Sequence, residues 1–266
     1  MDYYICEYFI KVSTTNVYMK KFSNKVALIT GGGTGIGRAT AHSLAKEGVS
    51  VGINYSKSKL EAETTVTEII QQGGNAFAFK ADIAKDDQVK KMIQSIIERY
   101  GKIDFLINNA GRTRAVPPIN LDGIKESDFE EIYNVNVKGT FFCSRAAITE
   151  MRKNGKGHII NVASVAGLTG LGSSLVYSSS KAAVINLTKG LAYSQAPEIQ
   201  VNCVTPGLIK TRWVNTVSEE FVEKNQEQTP MKRAGKPEDV SNAILGLLLN
   251  DFITGANLVV DGGLTI

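Results

Sequence analysis

The chain has 266 residues, 43% of them hydrophobic and 21% charged, with 25 glycines and 6 prolines, a composition that excludes collagen-like, disordered and low-complexity classes. A chain of this length can bury about 70% or more of its unfolded surface, so one or two domains need no disulfide or metal staples. Its 30 basic and 26 acidic residues leave a net charge of +4; with no polybasic block, this gives no argument for nucleic acid or an anionic membrane as a partner.

Residues 1–18, MDYYICEYFIKVSTTNVY, place acids before any base and lack a small-residue cleavage site behind an apolar stretch, so they do not read as a signal peptide. They are expected to be an extension ahead of Met19, with residues 19–266 forming one domain. From there, short β-rich runs alternate with amphipathic segments of helix length. Strands are predicted at Val26–Thr30, Val49–Asn54, Ala76–Lys80, Phe105–Asn108, Ile159–Val162, Val201–Val204 and Leu258–Val260. Most are continuous apolar runs, as a sheet covered on both faces requires. Helices are predicted at Gly37–Glu47, Leu60–Gln72, Asp86–Tyr100, Ser127–Met151, Tyr177–Tyr193, Ser218–Gln226 and Pro237–Leu249. Ser127 stands ahead of Glu130 at capping-box spacing, and Glu238 and Asp239 follow Pro237. The alternation predicts the α/β class: one doubly wound Rossmann-type domain, a seven-stranded parallel sheet flanked by helices. The irregular stretches 111–125 and 207–217 then become functional loops at the strand carboxyl ends. No apolar run approaches the roughly 20 residues that span a bilayer. Cys6, Cys143 and Cys203 are odd in number, far apart and without CxxC spacing, which predicts reduced thiols and a cytoplasmic protein.

The first predicted strand runs into Thr30-Gly31-Gly32-Gly33-Thr34-Gly35-Ile36-Gly37, and a helix follows. Glycines permit a tight strand-to-helix turn and let a pyrophosphate approach backbone N–H groups at the positive end of the helix dipole. The common GxGxxG spacing is not met, because Ile36 stands where its third glycine belongs; what stands is GxxxGxG from Gly31, Gly35 and Gly37. A P-loop is excluded, since no Gly-Lys-Ser/Thr follows. An NAD site usually places an acid about 20 residues on, at the end of the second strand. Here that end reads Asn54-Tyr55-Ser56-Lys57-Ser58-Lys59. Hydroxyls and lysines without an acid suit a 2′-phosphate, so NADP(H) is favoured and NAD(H) stays open; the alternative is that Lys57 and Lys59 are a solvated helix start.

Beyond the fifth strand, Ser164 precedes Tyr177, and Lys181 lies four residues further on. That spacing puts phenol and ammonium on one helix face, where opposite charge favours phenolate. A free tyrosine titrates near pH 10, so it needs such help to act as acid or base near neutrality. Ser164 could hold a substrate carbonyl through its hydroxyl. A Tyr and a Lys four apart are common by chance; beside the dinucleotide turn the pair becomes informative.

In order and at family spacing stand TGGGTGIG at 30–37, Asp82-Ile83, Asn108-Asn109-Ala110-Gly111, Asn136 within NVNVKGTF, Ser164, Tyr177 with Lys181, and Pro206-Gly207. Over essentially all of residues 20–266 the sequence resembles the short-chain dehydrogenase/reductase family. The stretches NNAG, KAAV and VVDGG look closest to its 3-oxoacyl-acyl-carrier-protein reductase and glucose-dehydrogenase-like members. The resemblance implies Tyr177 as general acid/base, Lys181 lowering its pKa and binding nicotinamide ribose hydroxyls, Ser164 polarising the carbonyl, and Asn136 anchoring a water in a proton relay. It implies cofactor contacts at Gly31, Thr34, Gly35, Ile36, Gly37, Tyr55, Ser56, Lys57, Asp82, Ile83, Asn109, Ala110, Gly111, Pro206, Gly207, Ile209 and Thr211, besides Tyr177 and Lys181. Many NADP-using relatives carry a base where Thr34 or Ser56 stands, and this chain has neither. The resemblance further implies a homodimer or homotetramer built on helices 127–151 and 177–193. It also implies a small-molecule or acyl-carrier-bound carbonyl substrate, with alcohol or sugar oxidation and a non-catalytic dinucleotide-binding scaffold as the alternatives.

His42 and His158 lie far apart with no ligand spacing around them, and no metal is predicted. Trp213 is expected either to wall a substrate pocket or to pack a lid. Arg112 and Arg114 are expected to be solvated loop charges, ahead of a role in attracting an anionic substrate or carrier.

Overall fold

The structure, a computed structural model, describes residues 21–214 and 218–266; Cys6 and the extension expected at 1–18 lie outside the described residues. The strands are β1 (Val26–Ile29), β2 (Ser50–Tyr55), β3 (Asn75–Lys80), β4 (Phe105–Asn108), β5 (Gly157–Val162), β6 (Ile199–Pro206) and β7 (Asn257–Val260). They form one seven-stranded sheet in the order β3-β2-β1-β4-β5-β6-β7, parallel at every pairing. The chain turns outward in opposite directions from β1 and β4, and between their carboxyl ends a doubly wound sheet opens its ligand crevice.

Around the sheet run α1 (Gly35–Lys46), α2 (Lys59–Gln71), α3 (Asp86–Tyr100), α4 (Glu126–Tyr133), α5 (Thr140–Lys153), α6 (Ala166–Thr169), α7 (Leu175–Gln195), α8 (Glu219–Gln228) and α9 (Pro237–Leu248). Strand β1 shows why its sequence is apolar throughout. Ala27 and Ile29 pack with Ala41 and Leu44 of α1 and Val240 and Ile244 of α9, whereas Val26 and Leu28 pack with Val89 and Ile96 of α3 and Ala147 of α5. Successive side chains point to opposite faces, and helices cover both.

Every expected strand is present, with ends shifted by at most two residues. One helix differs in kind: the run expected as a single helix over 127–151 is α4, then a π-helical turn at Asn134–Gly139, then α5. The wide turn sits where Gly139 lies against Ile83, whose side chain would meet an added Cβ at 2.8 Å. Its start differs too. Helix α4 begins ahead of Ser127, and Asp128, rather than Ser127, closes it by accepting from the Lys125 N–H at 2.8 Å. Helix α7 also starts earlier than expected, with Ser174 Oγ accepting the Tyr177 N–H at 3.2 Å. A 3-10 turn at Leu121–Gly123 lies inside the stretch 111–125 expected to be irregular, and short α6 lies between β5 and α7, where no element was expected.

Candidate active site

The glycine-rich turn links β1 to α1 beside the crevice. Gly31 and Gly35 have φ of 63° and 53°, the left-handed region that side chains disfavour. At Gly37 space is decisive, because a Cβ would lie 2.5 Å from both Asn109 Nδ2 and Gly31 O. Thr34 precedes α1 without capping it, and Ile36 packs against the core. The leading N–H groups of α1 therefore receive no side-chain cap from Thr34 and stand at the positive end of the helix dipole, where an anion is favoured.

The segment after β4 is stitched to this turn. Thr30 Oγ1 accepts the N–H groups of Asn109 and Ala110 at 3.0 Å each, while Asn109 Nδ2 donates to Thr30 O at 3.0 Å and Gly31 O at 3.1 Å. Asn108 braces the sheet instead, donating to Asn161 Oδ1 at 2.8 Å and Ser144 Oγ at 3.0 Å. Tyr55 closes β2, and Ser56 and Lys57 continue from it exposed. Beyond β3, Asp82 Oδ1 accepts the Ala84 N–H at 3.1 Å and Ile83 is buried. Pro206 closes β6, Gly207 backs onto Asp261, and Ile209 is buried. Thr211 Cγ2 lies 3.0 Å from the point a Cβ on Gly35 would occupy. The expected cofactor residues thus stand along one edge of the sheet, on the turn and the strand carboxyl ends.

The expected catalytic residues converge. Ser164 follows β5, Tyr177 and Lys181 come from α7, and Asn136 comes from the π-helical turn. Ser164 hydrogen-bonds the Tyr177 phenol. Lys181 Nζ lies 5.8 Å from the Tyr177 ring centroid and donates to Val162 O at 2.7 Å. Asn136 Oδ1 accepts the Arg112 N–H at 2.7 Å, and its Nδ2 donates to Arg112 O at 3.0 Å and Ser180 Oγ at 2.9 Å. Gly111 shows how near these groups come to one another: a Cβ there would lie 3.5 Å from Lys181 Nζ, 3.6 Å from Asn136 Oδ1 and 4.0 Å from Trp213 Cη2. Burial pushes the Tyr177 phenol up to about 12, with the Ser164 hydrogen bond acting the other way. Burial also pulls the Lys181 ammonium down to about 8.

Trp213 packs edge-on to Tyr177, with ring centroids 5.8 Å apart, which sets the indole beside the site. Arg112 and Arg114 pair with Glu131 and Asp128 of α4, as loop charges rather than a free basic patch. His42 meets Glu68 Oε2 at 3.0 Å. His158 borders a cavity of about 160 Å³ with Phe22, Lys25 and Asp104 at the amino end of the sheet, opposite the crevice. Cys143 and Cys203 are buried free thiols. No group of three metal-ligating side chains occurs among the described residues, and no helix among them is long and apolar enough to cross a membrane.

Three participants were not singled out from the sequence: the Val162 carbonyl that holds Lys181, Ser180 beneath Asn136, and Arg212. The side chain of Arg212 reaches Ser58 Oγ at 3.2 Å from both terminal nitrogens and Glu61 Oε1 at 3.5 Å. A basic residue beside Thr211, in a loop facing an anion site, was the available signal.

This crevice has the build of an α/β oxidoreductase. A family model described as enoyl-(acyl carrier protein) reductase matches residues 31–265. A 3-oxoacyl-acyl-carrier-protein reductase FabG from Staphylococcus epidermidis is 38% identical over 244 residues, 91% of this chain and 99% of that protein. A 3-oxoacyl-acyl-carrier-protein reductase from Synechocystis is 37% identical over 252 residues, 93% of this chain and all of that protein. Among solved structures, a short-chain dehydrogenase/reductase from Serratia marcescens superposes with a TM-score of 0.86 at 32% identity, covering 92% of this chain and 100% of that one. Levodione reductase gives 0.84 at 28%, covering 91% and 98%. The chain belongs to the short-chain dehydrogenase/reductase family and is an oxidoreductase acting on CH–OH groups.

Proposed function

We propose that the protein is an NADP(H)-dependent reductase that converts the carbonyl of a 3-oxoacyl thioester, or of a similar ketone, to a secondary alcohol, with Tyr177 as general acid. One observation carries the reading: Tyr177, Lys181 and Asn136 meet above Gly111, where the point a Cβ would occupy is 3.5 Å from Lys181 Nζ and 3.6 Å from Asn136 Oδ1, with Lys181 Nζ 5.8 Å from the phenol ring centroid. Burial keeps the phenol protonated at neutral pH, the form that can act as an acid. The substrate class draws on the two relatives named as 3-oxoacyl-acyl-carrier-protein reductases.

The crevice fits a dinucleotide. Its turn has no side chains where a pyrophosphate must approach, α1 opens without a side-chain cap, and the exposed β2 end carries Ser56 and Lys57 without an acid. Once bound, NADP(H) supplies the hydride. Tyr177 and Ser164 donate hydrogen bonds to the substrate oxygen, stabilise its developing charge, and Tyr177 passes its proton to it. Lys181, anchored at Val162, is placed to bind ribose hydroxyls. Asn136 Oδ1 and Lys181 Nζ flank the same space above Gly111, where a relay water has two polar partners.

The decisive experiment is Tyr177→Phe assayed on a panel of ketones and 3-oxoacyl thioesters with both cofactors. Reduction should fall by about 10²–10⁴ with NADPH binding retained. Retention of most activity refutes the role of Tyr177, and binding without turnover on any substrate points to a scaffold. Turnover confined to alcohols with the oxidised cofactor points to a dehydrogenase.

Assembly belongs to the same reading. A furrow lined by Tyr133, Val137, Phe141 and Leu187 runs between the α4–α5 region and α7, with Phe129 and Phe141 exposed beside it. Its occupant is a second copy of the chain, giving a homodimer or homotetramer. Sedimentation of Phe141→Glu as a monomer would support this, and a wild-type monomer would refute it.

A further inference from the structure

We propose that Arg212 recognises the 2′-phosphate of NADP(H) and acts as this chain's cofactor-specificity residue, in place of a base at Thr34 or Ser56. The inference rests on the NADP(H) reading above.

Consecutive residues of the loop after β6 cross the cofactor edge. Thr211 lies on Gly35 of the turn, while Arg212 extends to the start of α2. That helix start borders the same turn, since a Cβ on Gly33 would lie 2.8 Å from the Ala62 backbone. The guanidinium therefore stands at the β2 end beside Ser58 and Glu61, the latter one residue before the Ala62 backbone that meets Gly33. Neither the turn nor the β2 end offers a base at Thr34 or Ser56. Lys59 is drawn toward Glu63 at 3.5 Å, and Lys57 is exposed.

The chemistry suits a phosphate. A guanidinium presents a planar fork of donors that matches phosphate oxygens two at a time. Both terminal nitrogens already point at one acceptor, Ser58 Oγ, which aims the fork at the end of β2. The ion pair with Glu61 is solvent-exposed on both sides, and exposed pairs of this kind contribute little. An incoming dianion can displace Glu61 at small cost, leaving Ser58 as a shared partner. A ligand ending in a 2′-hydroxyl offers no such exchange, and its presence leaves Arg212 with Glu61.

The test is calorimetric binding of 2′,5′-ADP and of 5′-ADP to the full chain, with Arg212→Gln and Glu61→Gln as variants and no turnover needed. Arg212→Gln should weaken 2′,5′-ADP by about tenfold or more, the scale of a lost charge-assisted hydrogen-bond pair, and change 5′-ADP by less than about threefold. Glu61→Gln, which removes the competitor, should tighten 2′,5′-ADP alone by about two- to threefold. Equal loss of both ligands in Arg212→Gln overturns the proposal, because the side chain would then serve the pyrophosphate. A preference for 2′,5′-ADP that survives in Arg212→Gln overturns it as well while leaving the NADP(H) reading intact. If the unaltered chain binds both ligands equally, the NADP(H) reading itself fails and the role of Arg212 with it. Should Arg212→Gln not fold, Glu61→Gln decides: no gain, or a gain for both ligands, refutes the assignment.

Discussion

The cofactor edge and the substrate edge of the crevice are built differently. The glycine-rich turn and the Asn109–Gly111 segment are held by backbone contacts and by short polar side chains, Thr30 and Asn109, that bond backbone atoms. Residues 112–125 of the substrate edge combine backbone bonds such as Val116 N–H to Ser173 O at 2.7 Å with tethers by long charged side chains, Arg114 on Asp128 and Arg112 on Glu131. Backbone-held geometry admits few residue types at each position. Side-chain tethers of exposed loops admit many, so the chain can vary its substrate edge without disturbing its cofactor edge.

The strongest way to break this contrast is a paired substitution. Gly37→Ala would drive a methyl to 2.5 Å from Asn109 Nδ2 and the Gly31 carbonyl, and it should cost more than about 3 kcal/mol of stability, abolishing dinucleotide binding. Ile119→Ser, at a loop residue 94% exposed, should change stability by less than about 0.5 kcal/mol. Urea unfolding checks both. Comparable losses at the two sites would mean that the edges are equally constrained.

Next in size is an effect of pH that begins at Tyr177 and Lys181. Burial lowers Lys181 from 10.5 to about 8, so between those values the unfolded chain binds more protons and stability rises with pH. Burial raises Tyr177 from 10 to about 12, so in that interval the folded chain binds more protons and stability falls with rising pH. Burial likewise holds the Cys143 and Cys203 thiols protonated above their ordinary value of 9, so the net rise is expected from pH 8 to about 9 in the ligand-free protein. The rise should vanish in Lys181→Met, which keeps the length without the charge. A slope unchanged in that variant would show that Lys181 is not desolvated in the folded state.

The same division explains what could be read from the sequence. The central strands were legible because helices cover both faces of the sheet there and force continuous apolar runs, as at Val26–Ile29; β7, where Leu258 and Val259 are exposed, was legible from its short apolar, β-branched run. The turn was legible because positive φ at Gly31 and Gly35 and the tight contact at Gly37 demand glycine. The π-helical turn at Asn134–Gly139 was not, since one extra residue in a long amphipathic run hardly disturbs its periodicity, and the Ile83 side chain packed against Gly139 there comes from a distant loop. The start of α4 was misread because Ser127 and Glu130 fit a capping pattern that Asp128 fulfils from one position on. The basic residue next to Thr211 was a signal for Arg212 itself, but its contact was illegible, because Ser58 is 154 residues away and no spacing rule connects two loop residues at that separation.

Trp213 gives the smallest effect and the finest test of the substrate edge. It is the only tryptophan in the chain, 40% exposed, with its ring against Tyr177 and its tip near Gly111. Its emission is therefore a direct reporter of the crevice, and saturating NADPH should change it in wild type and in Tyr177→Phe alike. Removing the indole should leave the backbone-held cofactor edge intact, so Trp213→Ala should bind NADPH within about twofold of wild type. The missing wall should raise KM for a short ketone by about three- to tenfold, the scale of a lost aromatic contact, with a smaller change in kcat, and should favour bulkier ketones in kcat/KM. If the indole served only to pack the loop, stability would drop while the ranking of ketones by kcat/KM stayed as in wild type. A shift in that ranking at unchanged NADPH affinity is the result that separates a substrate wall from a structural filler.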